Sequence, residues 1–251
     1  MINRRDFMKK TSVTAALVAA GQLPLWAATE KGECYAVEGF ANRLKKYHLP
    51  KTSKGAKTLR YMLYSQEADL GKMTVTRTGK SQFSCDYSTV PPSDCQADFV
   101  FKGVLSSGLA SWQLTSTTTT ESAAMQSLGT YTETGKVGSE KAVVRVGDRV
   151  TERFKTSLPI QPDFTLPFVV STLPAEMGKE YPFTLLREGT FFFANQTVFF
   201  DGMVTLPMPG GKKTFKNYLH VGEGTLPTNY LVDENDVPVI VTHGIVSEWL
   251  V

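Results

Sequence analysis

The sequence predicts a mainly β protein: a single curled antiparallel sheet, an open barrel or β-spiral, with one N-terminal helix packed on it. Three observations carry this expectation. From Leu59 onward apolar side chains tend to recur with a period of two, as on a half-buried strand. Turn signals follow one another every ~8–12 residues, the spacing of short antiparallel strands. Strands do not alternate with helix-length amphipathic segments, as they would in a parallel α/β sheet. The 251 residues, 41% hydrophobic and 20% charged, have an ordinary globular composition and suffice for one domain with a real core.

Residues 1–28 are set apart as a leader. Asn3-Arg4-Arg5-Asp6-Phe7-Met8-Lys9 resembles the Ser/Thr-Arg-Arg-x-Phe-Leu-Lys pattern of twin-arginine signal peptides. Arg4, Arg5, Phe7 and Lys9 stand in place, whereas Asn3 replaces Ser/Thr and Met8 replaces Leu. The stretch Thr11 to Leu25 is diluted by Thr, Ala and Gly, too short and too soft for a membrane span. Cleavage is expected after Ala27 or Ala28. The resemblance implies export by the twin-arginine machinery, already folded, into the periplasm. Some passengers of that route carry a cofactor, but no motif in this chain implies one.

Removing the leader also removes Arg4, Arg5, Lys9, Lys10 and Asp6, leaving 23 basic and 23 acidic side chains in place of the formal +3. Nucleic-acid binding draws on a basic face that displaces phosphate counterions, and net charge gives it no support here.

Residues 29–57 are expected to form a helix and a connector. Val37, Phe40, Ala41, Leu44 and Tyr47 recur at helical spacing, which places the helix over 36–48; Pro50 and the Lys51–Gly55 stretch end it. Residues 58–251 are then the β domain. Its strands are read at Leu59–Tyr64, Lys72–Thr78, Ala97–Leu105 and Ser111–Thr120, where β-branched threonines favour a strand over a linker. Lys141–Val146 and Arg149–Thr156 flank Gly147-Asp148, a two-residue hairpin turn of type I′ or II′. Pro159 to Pro174 holds four prolines and is read as irregular, with at most a short helix around Phe168–Thr172. Further strands are placed at Tyr181–Arg187, Thr190–Phe193, Thr197–Leu206, Thr214–Val221, Asn229–Val232, Pro238–Thr242 and Ile245–Val251.

Cys34, Cys85 and Cys95 all follow the leader, and an oxidising compartment permits disulfides. Pairing Cys85 with Cys95 closes a short loop, a constraint on the order of 3 kcal/mol in the chain-entropy model. The competing pairing runs from Cys34 to either of the others. Metal binding is the weaker reading, because no Cys or His pair stands at ligand spacing.

Phe191-Phe192-Phe193 and Phe199-Phe200 are the most unusual runs. Neighbours in a strand point to opposite faces, so a triple Phe is apolar on both. Either both faces are covered, or Phe191, Phe193 and Phe199 line an apolar ligand cavity. Asp233-Glu234-Asn235-Asp236 lacks calcium-loop spacing and is read as a hairpin turn with Asn235 left-handed. His220 and His243 are placed on neighbouring strands where they face each other; no nucleophile or metalloprotease motif accompanies them.

The closing strands carry a second likeness. Gly224 to Asp233, a turn, then Val237 to Val241 resembles the end of exported DUF3108-type proteins, curled antiparallel sheets similar in outline to the LolA and LolB lipoprotein carriers. That resemblance brings no catalytic residue with it. Together these readings lead us to expect a non-enzymatic periplasmic protein that binds an apolar or lipid-like envelope ligand or a partner protein. A cofactor-dependent enzyme or accessory subunit is the alternative.

Overall fold

The computed structural model describes residues 35–65, 68–89, 95–105, 108–120, 130–139, 141–155, 157–187 and 191–251. The expected leader with Arg4 and Arg5, and Cys34, lie outside them. Among the described residues helix α1 (Tyr35–Leu44) precedes fifteen strands, β1 (Thr58–Ser65) to β15 (Val246–Leu250), all in one sheet. The first half is a meander, β2 (Ala68–Thr78), β3 (Gln82–Thr89), β4 (Cys95–Leu105), β5 (Leu109–Thr120), β6 (Thr130–Val137), β7 (Lys141–Val146) and β8 (Arg149–Lys155). The second half runs β9 (Ile160–Pro162), β10 (Glu180–Arg187), β11 (Phe191–Met208), β12 (Gly211–Gly222), β13 (Thr228–Val232), β14 (Pro238–His243) and β15. β15 pairs with both β14 and β1, so the chain's last strand joins the two meanders.

The sheet curls until its halves meet. Phe192 of β11 stacks on Phe154 of β8, ring centroids 4.8 Å apart, and meets the edge of Trp112 of β5 at 6.1 Å. Two glycines let the aromatic rings lie flat on the inner face. A Cβ at Gly135 of β6 would come within 2.0 Å of the Trp112 indole, and one at Gly103 of β4 within 2.5 Å of the Phe83 ring. The fold class is therefore the predicted curled sheet, with one exception to its antiparallel order: β9 pairs with β10 in parallel.

The reason for the exception is the proline-rich segment. After β9 the chain makes a 3₁₀ turn (Asp163–Thr165) and a short helix α2 (Leu166–Val170), which places Phe164, Leu166 and Val170 in the core. Phe164 packs edge-on to Phe101 at 4.5 Å and tilts against Phe83 and Phe99. The segment read as irregular is a plug in the concave side of the sheet.

Helix α1 lies on the other, convex face. Phe40 and Tyr47 pack on Trp249 of β15, with centroids at 5.2 and 4.8 Å, and the Tyr47 hydroxyl donates to the Leu250 carbonyl at 2.8 Å. The helix stops at Leu44, short of the expected residue 48. The connector is clamped by the β13–β14 turn. Thr52 donates to the Asp233 carboxylate, whose other oxygen accepts from the amides of Asn235 and Val237 at 2.9 Å, and Lys54 pairs with Asp236. The left-handed residue of this turn is Asp236 (φ 61°), not Asn235. In the β7–β8 turn only Gly147 has a positive φ (55°), as a type II′ turn requires.

Candidate functional site

On concave strands the inward residues alternate with residues under α1. In β15, Val246 and Glu248 face inward, whereas Trp249 faces the helix. Register then builds two rows across the sheet. Leu63, Glu248, Val241 and Tyr230 stand side by side on β1, β15, β14 and β13. One pleat repeat along, about 7 Å, stand Val246, His243, Thr228 and His220. Together with the plug and the inner face of β2 to β6 they line a half-open cavity of about 620 Å³. Its walls are mostly apolar, with Leu70, Met73, Leu114, Leu166 and Leu185 among them, and the rings of Tyr87, Phe99, Phe164 and Tyr230. Leu226, 59% exposed in the β12–β13 turn, stands on the rim.

The polar groups of the cavity occupy fixed places. The side-chain amide of Gln196 donates to the carbonyls of Ala194 (2.7 Å) and Glu223 (3.0 Å). Its oxygen therefore accepts, from Thr225 Oγ1 at 2.9 Å and from His220 Nε2 at 3.0 Å. This holds His220 in the neutral tautomer protonated on Nε2. Burial, with His243 nearby, pushes His220 down to about 4; burial, with Arg187 nearby, does the same to His243. The carboxyl of Glu248 is pushed up to about 8 by burial and then by Asp163 of the plug. The two histidines share a face, as the sequence suggested, but β13 runs between their strands and sets Thr228 between them.

The phenylalanines expected to line a cavity do not line this one. Phe191 is 53% exposed near the start of β11, beyond the last pairing with β12. Phe193 is half-buried against the core, over Gly224. Phe199 pairs with Leu219 and joins a separate small cluster with Val221. The reason is parity: β11 presents Val198 to the His220 row, so Phe199 turns the other way. The expected disulfide is also overturned. Cys85 is a fully buried free thiol opposite Phe101, whereas Cys95 lies six residues further along β4, opposite Thr120. Six strand residues span about 20 Å, far beyond a disulfide's reach. Burial holds the Cys85 thiol well above its ordinary range.

Among the described residues no three His, Cys, Asp or Glu side chains converge as metal ligands, and no helix is long and apolar enough to cross a membrane.

The architecture is that of a curled sheet with a half-open cavity on its concave face. A β-barrel-like protein from Brucella abortus, of the domain of unknown function DUF1849, is similar in structure: TM-score 0.47 and 13% identity, over 77% of this chain and 95% of that one. No protein-family model matches the chain, the DUF3108 type included, and no curated protein matches it.

The depressed histidines and the raised carboxyl predict a pH optimum for stability. His220 and His243, depressed when folded, stabilise the fold above their unfolded value near 6.5, and this is lost as pH falls toward 4. Glu248, raised when folded, favours the fold below 4.5, and this is lost as pH rises toward 8. Unfolding should take up protons below about pH 6.5 and release them above it, so stability peaks there. A decline of about 1 kcal/mol by pH 8 and about 2 by pH 4.5 is expected in urea melts. Glu248→Gln should remove the alkaline decline and deepen the acid decline to about 4 kcal/mol, because the raised carboxyl offsets part of the histidines' loss; a persisting alkaline decline would refute the assignment.

Proposed function

We propose that this is a non-enzymatic periplasmic protein that holds an amphipathic, lipid-like ligand in the cavity on the concave face of its sheet, delivered there folded by the twin-arginine route. The observation that carries the reading is the cavity: about 620 Å³, walled mainly by aliphatic and aromatic side chains, with a few polar groups at fixed depth. Pockets of this size and lining suit small molecules that are mostly apolar. The Arg4-Arg5 motif supports the compartment, and the likeness of the closing strands to DUF3108-type and LolA-like sheets agrees with an apolar cargo.

The test is native mass spectrometry of the full chain expressed in bacteria and recovered from the periplasm. A small amphiphile should accompany the protein and leave on denaturation. Ser116→Trp, which projects an indole into the cavity from a half-buried position, should abolish it. Lys in place of both Arg4 and Arg5 should strand the precursor in the cytoplasm. A metal or organic cofactor instead of an amphiphile would favour an enzyme or accessory subunit.

A further inference from the structure

We infer that the ligand is an amphiphile with a cationic head group, an alkylamine or quaternary ammonium, seated with its head against Glu248 and its tail along the aliphatic wall. The inference rests on the cavity reading above and adds the chemistry of the head.

Glu248 is an acidic group on the cavity wall that no described protein group answers. Its carboxyl lines the cavity, yet among the described residues it has no hydrogen-bond or ion-pair partner. It is half-buried on the cavity wall, and an acidic group there with no counter-charge beside it favours a cationic partner. The other polar groups are already occupied. His220 spends its proton on Gln196, Asp163 accepts from the Phe164 amide, and Arg187 has partners of its own. Both histidines are uncharged, so an anionic head would meet two carboxyls and one engaged guanidinium.

The surroundings of Glu248 favour a cation in a second way. Tyr230 stands two strands away in the same row, and Phe164 enters from the plug. Tyr87 and Phe99 stack together across the cavity, centroids 4.7 Å apart at 18°. Aromatic faces attract organic ammonium groups through the ring quadrupole. Leu63, Leu70, Met73 and Leu114 supply an apolar surface for the tail on β1, β2 and β5.

Binding has a proton balance. In the empty cavity Glu248 is held mostly protonated at neutral pH by burial and by Asp163. The other titratable groups around it are Tyr61 of β1, Tyr230 of β13, His243 of β14 and the Cys85 thiol of β3. None of these charges in the neutral range, because burial raises the phenols and the thiol and lowers the histidine. A cation therefore displaces one proton, from the Glu248 carboxyl to the buffer, and the ammonium pairs with the carboxylate left behind.

Isothermal titration of the processed protein with decyltrimethylammonium, decanol and decanoate tests this, since the quaternary probe has no proton of its own. The cation should bind at least about tenfold tighter than the other two at pH near 8, and about fiftyfold tighter there than near pH 6. Glu248→Gln should lose about tenfold for the cation, and all of the pH dependence, while decanol is unchanged. Asp163→Asn should weaken the cation less. Wild-type protein that binds decanol or decanoate as tightly as the cation overturns the head-group assignment but leaves the cavity reading standing. So does a Glu248→Gln variant that keeps wild-type affinity for the cation. Failure of all three probes to bind overturns both.

Discussion

Deleting residues 246–251 should abolish cooperative unfolding, leaving a chain with no resolved thermal transition. The deletion is small, but it removes β15 from the middle of the sheet. Tyr61 to Ser65 of β1 and Ile240 to His243 of β14 both lose their partner strand, exposing two long edges where there were none. The convex face loses Trp249, fully buried, whose ring receives Phe40 and Tyr47; α1 then has little to pack on. Loss of the Trp249 side chain alone should cost about 3–5 kcal/mol, a large part of the 5–15 kcal/mol by which domains are commonly stable. Removing the backbone pairings as well exceeds it. Circular dichroism melts of the truncated chain, with Trp249→Ala beside it, decide the matter. A truncated protein that melts within a few degrees of wild type would mean that β1 and β14 pair directly and the halves close without β15.

The sequence made these C-terminal strands legible because they are short, separated by clear turns and rich in β-branched and aromatic residues. It could not show β6. Thr130–Val137 reads TYTETGKV, with no apolar alternation, because its inward positions hold Glu133 and Gly135 and the space over Gly135 is filled by Trp112 of the next strand. The hydrophobic pattern of β6 is thus supplied by a neighbour, which no local period can report. The same limit applied to the cavity. Its lining comes from single inward residues on many strands, so Glu248 on β15 has no local motif to mark it. The conspicuous phenylalanines drew the sequence reading toward β11, where parity turns Phe199 away and Phe191 runs past the end of β12. Thr190–Phe193 and Thr197–Leu206, expected as two strands, are one, bent at Asn195 with φ 54°.

The plug offers the second large effect. Phe164→Ala should lower stability by about 3–5 kcal/mol, from lost burial and the void left behind. The ring is 6% exposed and is the plug's main contact with the first half of the sheet, through Phe83, Phe99 and Phe101. Elsewhere the plug meets the first half at Gly108, against Pro159 and Ile160, and is tied to the second half by backbone pairing. Ile160 and Gln161 pair with Thr184 and Leu185 of β10, and the Tyr218 hydroxyl of β12 donates to the Leu173 carbonyl at 2.7 Å. Removing the Phe164 ring therefore loosens the plug's hold on the first half while its pairing with the second half stays. Two signals should change together: the melting midpoint falls, and hydrogen exchange quickens at β3 and β4 more than at β13 and β14. Phe164→Leu, which refills most of the volume, should recover much of the midpoint. If Phe164→Ala instead melts like wild type and leaves exchange at β3 and β4 unchanged, the plug is not what joins the two halves on the concave side. The seam of Phe192 with Phe154 and Trp112 would then have to carry that closure alone.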